Sequence, residues 1–137
     1  MGNRMTRKEF TCCSFSPDAS SKKGHVLAVI AATWQGENKL KNVEWCLNEE
    51  ARSLLEDVTK IKSLRNVLLN LHDFFKEAAT RAVERLGSDH AKFWDMFFDE
   101  VGCLNFSFTE PAETDTESLK EILNQQIRSK EELLVTA

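Results

Sequence analysis

The residues that most clearly suggest a chemical modification lie at the start of the chain. The first six residues, MGNRMT, fit the M-G-x-x-x-[ST] pattern, in which myristate is attached to Gly2 after the initiator methionine is removed. One myristoyl chain binds a membrane only marginally, so stable anchoring requires a second signal. The adjacent thiols of Cys12 and Cys13 are candidate S-palmitoylation sites. Basic side chains that would meet anionic lipid complete the candidate lipidation segment: Arg4, Arg7, Lys8, Lys22 and Lys23.

Charge is distributed unevenly along the chain. Residues 1–24 carry five basic and two acidic side chains, although the whole chain has a net charge of -4. A nucleic-acid-binding protein requires a basic face, so the acidic remainder argues against a nucleic-acid partner. Residues 1–23 also contain Pro17 and scattered serines without any periodicity. We therefore predict a flexible basic arm over residues 1–23 and a single domain over residues 24–137.

The longest periodic pattern runs through residues 37–86, which contain neither Gly nor Pro. Apolar residues recur there in steps of three or four, as in an amphipathic helix. They are Leu40, Val43, Leu47, Ala51, Leu54, Val58, Ile61, Leu64, Leu68, Leu71, Phe75, Ala78, Ala82 and Leu86. One straight helix of this length would span about 75 Å, whereas a compact domain of this size is about 40 Å across. The chain is therefore either an elongated coiled-coil oligomer or a bundle in which the helix breaks. Capping and β-branched residues over 57–63 favour a break there.

The remaining segments are also assigned to helices. Residues 25–35 form an apolar run that could be a buried strand, but only residues 104–108 offer a strand to pair with it. The spacing of Leu27, Ile30 and Trp34 fits a short helix that ends at Gly36. The sequence thus predicts an all-α fold, a compact helical bundle of four to five helices behind the flexible N-terminal arm. The predicted helices cover residues 25–35, 38–58, 62–86, 89–104 and 115–134.

Aromatic residues are concentrated in the predicted helix over residues 89–104. Phe93, Trp94, Phe97 and Phe98 would suit contact with a partner or with lipid. A bundle of this size, however, needs its large side chains inside, so a core role is favoured.

The sequence contains no recognisable catalytic or metal-binding motif. The four cysteines show neither disulfide nor zinc spacing, and Cys46 lies in an apolar stripe that indicates a buried, inert thiol. His25, His72 and His90 lack the spacing of a metal site and are interpreted as surface or capping residues. A phosphate-binding loop and a nucleophile elbow are also missing. We therefore expect no enzymatic activity, no metal and no cofactor.

An acylated, basic N-terminus in front of a small helical globule resembles the general plan of retroviral matrix domains and of some acylated signalling adaptors. The Gly2 pattern and the basic arm carry this resemblance, and no residue roles are transferred from it. It implies a module at the cytoplasmic face of a membrane.

The expected function is a non-enzymatic helical interaction or scaffold module, tethered to the cytoplasmic face of a membrane by its N-terminus. Its partners would be one or more proteins and an anionic membrane surface. One alternative is a soluble helical interaction domain that self-associates into a homo-oligomer. The other is a membrane-perturbing bundle, in which the apolar segments 26–34 and 93–104 leave the core and enter lipid.

Overall fold

The computed structural model describes residues 6–17, 24–36, 39–103 and 105–136. It shows an α+β fold, in which a five-stranded antiparallel sheet is covered by helices on both faces. In chain order the elements are β1 (Thr6–Phe15), β2 (His25–Gln35), β3 (Lys39–Leu47), α1 (Glu49–Val58), α2 (Lys62–Leu69), α3 (Leu71–Leu86), a 3₁₀ turn (His90–Lys92), α4 (Phe93–Val101), β4 (Phe106–Phe108), β5 (Ala112–Thr114) and α5 (Leu119–Thr136).

The strand β1 is the central strand of the sheet. One edge pairs along its whole length with β2, which in turn pairs with β3. Its other edge pairs first with β5, through residues 8–10, and then with β4, through residues 13–15. Thr109 fills the gap between these two short strands, because its N–H donates to the carbonyl of Cys12 (3.0 Å) and its hydroxyl accepts from the N–H of Cys12 (2.9 Å). The sheet order is therefore β3-β2-β1, with β5 and β4 following one another along the remaining edge of β1.

Each face of the sheet packs against a separate hydrophobic cluster. On one face, Ile30 and Phe15 belong to a large cluster that includes Phe75 and Phe97 from the helices α3 and α4. On the other face, a smaller cluster joins Cys12 and Val29 to Ile122 and Leu123 of α5. Because β2 is buried on both faces, it reads as a continuous apolar run instead of an alternating one.

The predicted all-α bundle is wrong. Residues 25–35, expected to form a helix, are the strand β2, and residues 6–15 of the expected flexible arm are the strand β1. The helical fold implied by the resemblance to matrix domains fails for the same reason. The spacing of Leu27, Ile30 and Trp34 did not distinguish a helix from a strand. A strand that is buried on both faces lacks the alternation of apolar and polar residues by which strands are recognised.

A β-bulge explains why β3 was mistaken for the start of a helix. Asn42 pairs with Thr33 and Leu40 pairs with Trp34, so Lys41 is an extra residue on β3. The bulge places Leu40 and Val43, three residues apart, against the same core. Their spacing imitates one helical turn, and the helix predicted over 38–58 is observed only from Glu49 to Val58.

The C-terminal two-thirds of the chain is mostly helical, with different boundaries from those predicted. The helix expected over 62–86 is divided at Asn70 into α2 and α3. The linker between α1 and α2, residues 59–61, falls within the expected break at 57–63. The helices expected over 89–104 and 115–134 overlap α4 and α5, respectively.

Asn48 joins the sheet to the first helix. Its backbone N–H donates to the carbonyl of Leu27 (2.7 Å), and its side-chain amide donates to the carbonyl of Val26 (2.9 Å). Its side-chain oxygen accepts a hydrogen bond from the N–H of Ala51 (3.3 Å), which caps the N-terminus of α1. Asn48 therefore ties the start of α1 to the neighbouring strand β2 through its backbone and its side chain.

Replacing Asn48 tests this junction. We expect Asn48→Ala to lower the free energy of unfolding by about 1–2 kcal/mol, because it removes a helix cap and leaves the Val26 carbonyl without its donor. Asn66→Ala, at an exposed position within α2, is the control and should change it by about 0.5 kcal/mol or less. Urea unfolding followed by circular dichroism measures both. Equal losses in the two variants would contradict the assigned role.

Candidate functional site

The two thiols predicted to be palmitoylated lie in the middle of β1. Cys12 is 3% exposed and Cys13 is 0% exposed, and they belong to the clusters on opposite faces of the sheet. Burial raises the pKa of Cys13 well above its ordinary value, and the neighbouring Cys12 and Cys103 raise it further. A thiol held in its neutral form inside a core is a poor nucleophile. The palmitoylation prediction is corrected accordingly, and nothing in the described residues supports lipidation or membrane association.

The basic residues of the predicted arm do not form one surface in the described part of the chain. The guanidinium of Arg7 lies 5.1 Å from the ring centroid of Trp34 and 3.6 Å from the carboxylate of Glu9. The ammonium of Lys8 donates to the carbonyl of Glu117 (3.1 Å). Because adjacent residues of a strand point to opposite faces, these two charges are directed away from each other. Gly2, Arg4, Lys22 and Lys23 lie outside the described residues.

The aromatic residues proposed for partner or lipid contact line the main core. Phe93 and Phe97 are fully buried and stack with ring centroids 5.8 Å apart. Trp94 and Phe98 are half-buried, and the indole N–H of Trp94 donates to the carboxylate of Glu9 (3.1 Å). Two of the four rings are therefore inaccessible to a partner.

Two histidines attach the edge strand β3 to the helical layer. The N–H of Leu40 donates to Nδ1 of His90 (3.1 Å), and the indole N–H of Trp45 donates to Nδ1 of His72 (3.0 Å). Nε2 of His90 lies 3.1 Å from the carbonyl of Gly87. Since its Nδ1 accepts, Nε2 carries the proton and donates to that carbonyl. His90 thus caps an otherwise unpaired backbone group at the sheet edge, whereas His25 is an exposed residue at the start of β2.

Large apolar side chains are exposed on one hairpin, formed by α1, α2 and their linker (residues 49–69), which we call the α1–α2 hairpin. Among the described residues, the large apolar side chains that stand out as exposed are Leu54 (55%), Val58 (51%), Ile61 (56%) and Leu69 (51%). Leu54, Val58 and Ile61 belong to the apolar stripe that was predicted to be a helical core face, so their exposure was not expected from the sequence. Pairs of adjacent leucines in the sequence could have indicated this exposed surface. Neighbouring residues on a helix point about 100° apart, so the two leucines of a pair do not share one buried face. Leu55 and Leu68 are buried, and Leu54 and Leu69 are the exposed members of the two pairs.

Charges of both signs accompany these apolar residues. The exposed acids of α1 are Glu49, Glu50 and Asp57, and the exposed bases of the linker and α2 are Lys60, Lys62 and Arg65. Glu49 pairs with Arg52 within α1 (2.9 Å), whereas the described residues provide no ion-pair partner for the other five. The hairpin therefore has an acidic helix beside a basic one.

A cleft of about 400 Å³ adjoins the hairpin where α2 meets α3. Leu69, Leu47 and His72 line it together with Arg52. The guanidinium of Arg52 is already bound by Glu49 (2.9 Å) and Glu56 (3.3 Å), so it is not free to bind an anion. The lining of the cleft combines leucines with charged and polar side chains.

A larger cleft of about 1110 Å³ lies at the other end of the sheet. Carboxylates line it, and the ammonium of Lys8 lies between the carboxylate of Glu44 (3.8 Å) and the carbonyl of Glu117.

In the described part of the chain, no group of three His, Cys, Asp or Glu side chains is placed to hold a metal ion. Within the same residues, no helix is both long and apolar enough to cross a membrane.

Comparison with known protein families, curated proteins and solved structures found no match for this chain.

Thiol alkylation tests the placement of the cysteines. In the native protein we expect iodoacetamide to label Cys12 and Cys13 at less than about one-tenth of the rate of the half-buried Cys46 and Cys103, because the buried thiols react only after local unfolding. Peptide mapping by mass spectrometry gives the four rates, and labelling in denaturant provides the control. Similar native rates for all four thiols would show that β1 opens readily to solvent.

Proposed function

We propose that this chain is a non-enzymatic protein-interaction domain whose contact surface is the α1–α2 hairpin. The supporting observation is that Leu54, Val58, Ile61 and Leu69, each more than half exposed, all lie within sixteen residues of sequence. Exposed apolar side chains that are concentrated in one region characterise interaction sites, whereas single scattered ones need no explanation.

The size of this surface sets the expected strength of the interaction. Burying a Leu, Ile or Val side chain completely contributes about 1.5–3 kcal/mol, and these four are already about half-buried. Their remaining burial would contribute about 3–6 kcal/mol, compared with about 8 kcal/mol for a micromolar complex. The surrounding charges and the adjoining cleft would have to supply the rest, so we expect a reversible complex of moderate affinity.

Several expectations from the sequence stay predictions. Gly2 lies outside the described residues, so a membrane tether at this position is not supported or opposed by the fold. A membrane-perturbing role would require β2 and α4 to leave the core, in which Leu27 and Phe97 are fully buried. The absence of enzymatic activity also stays a prediction.

Site-specific photocrosslinking tests the proposed surface. We expect benzoylphenylalanine placed at Leu54 or at Ile61 in the full chain, expressed in its source cells, to give protein adducts at least about five-fold above the same probe at Glu84. Glu84 is the matched control because it is an exposed helical position on α3 with no ion pair among the described residues. Mass spectrometry of each adduct identifies the partner. Equal labelling from Glu84, or no adduct from either hairpin position, would contradict the proposal.

A further inference from the structure

The α1–α2 hairpin has a charge distribution that is complementary to itself. Glu50 and Asp57 are exposed on α1, and Lys62 and Arg65 are exposed on α2. These four side chains make no ion pair among the described residues, in contrast to Arg52 and Arg85, each of which binds two carboxylates. The surface thus presents one acidic helix, one basic helix and apolar side chains on both.

A two-fold axis brings this surface into contact with its own complement. In a symmetric dimer the same patch is used by both subunits, and every contact between α1 of one copy and α2 of the other occurs twice. Glu50 and Asp57 of each copy would then face Lys62 and Arg65 of the other, around a centre formed by Leu54 and Ile61. A polar rim around an apolar centre is the usual anatomy of a protein interface.

We infer that the partner of the α1–α2 hairpin is a second copy of this chain, bound with two-fold symmetry so that the acidic helix of each copy packs against the basic helix of the other. This inference rests on the proposed interaction function and identifies its partner. An anionic membrane would attract Lys62 and Arg65 but repel Glu50 and Asp57, whereas a second copy satisfies all four charges.

Two charge-reversed variants provide the test. The acid-reversed variant carries Glu50→Lys and Asp57→Lys, and the base-reversed variant carries Lys62→Glu and Arg65→Glu. Neither set of changes breaks an ion pair of the described monomer, so both variants should fold, which circular dichroism checks. Sedimentation velocity over about 5 to 500 µM covers the affinity range expected for an interface of this size.

The expected results are specific to a two-fold interface. The wild-type sedimentation coefficient should rise with concentration, and each variant alone should dissociate at least about ten-fold more readily, because like charges meet at both copies of the contact. An equimolar mixture of the two variants should recover the wild-type affinity within about three-fold. In that heterodimer the reversed acids face the reversed bases, and the native bases face the native acids, so both contacts are attractive. Lys76→Glu with Glu84→Lys on α3 is the control and should leave association unchanged.

The inference is overturned if the wild type stays monomeric over this range, if the reversals leave association unchanged, or if the mixture fails to associate. The first outcome, combined with photocrosslinks from Leu54 to a different protein, would overturn self-association and leave the interaction function intact. No crosslinks from Leu54 or Ile61 would instead contradict the interaction function itself.

Discussion

Backbone pairing along both edges of β1 is the constraint on which the rest of the fold depends. The strand β2 occupies one edge, and β5, Thr109 and β4 occupy the other in succession. The two short strands are three residues long and pair with β1, so they have no place in the sheet without it. With β1 in position, alternate residues reach the two hydrophobic clusters, and the segment expected to be an acylated arm becomes the centre of the sheet.

The sequence predicted the helical regions better than the sheet, for physical reasons. The helices α3, α4 and α5 fall in segments with helical periodicity, and each lies within or overlaps a predicted helix. The strand β2 is uniformly apolar because both of its faces are covered, and the bulge at Lys41 gives β3 the spacing of a helical turn. The alternation in β1 was obscured because Arg7, Lys8 and Glu9 precede its buried half. Local pattern could not resolve these strands, because their partners lie far away in sequence.

The candidate site was missed because helical spacing was equated with burial. A stripe of apolar residues predicts the face of a helix, but it does not show whether another element covers that face. In α1, Leu55 is buried in the core, whereas Leu54 and Val58 are exposed. In α2, Leu64 and Leu68 are the buried residues. The acidic and basic residues of the hairpin can be read directly from the sequence. Their importance comes from the turn at residues 59–61, which places the acidic and basic helices side by side.

Native-state hydrogen exchange distinguishes a β1 strand in the middle of the sheet from a flexible arm over residues 6–15. We expect the amides of Thr11, Cys12 and Cys13 to exchange only through global unfolding, with the same free energy of opening as the amides of β2. Exchange of these three amides at the rate of an unstructured peptide, while β2 stays protected, would contradict the central position of β1 in the sheet.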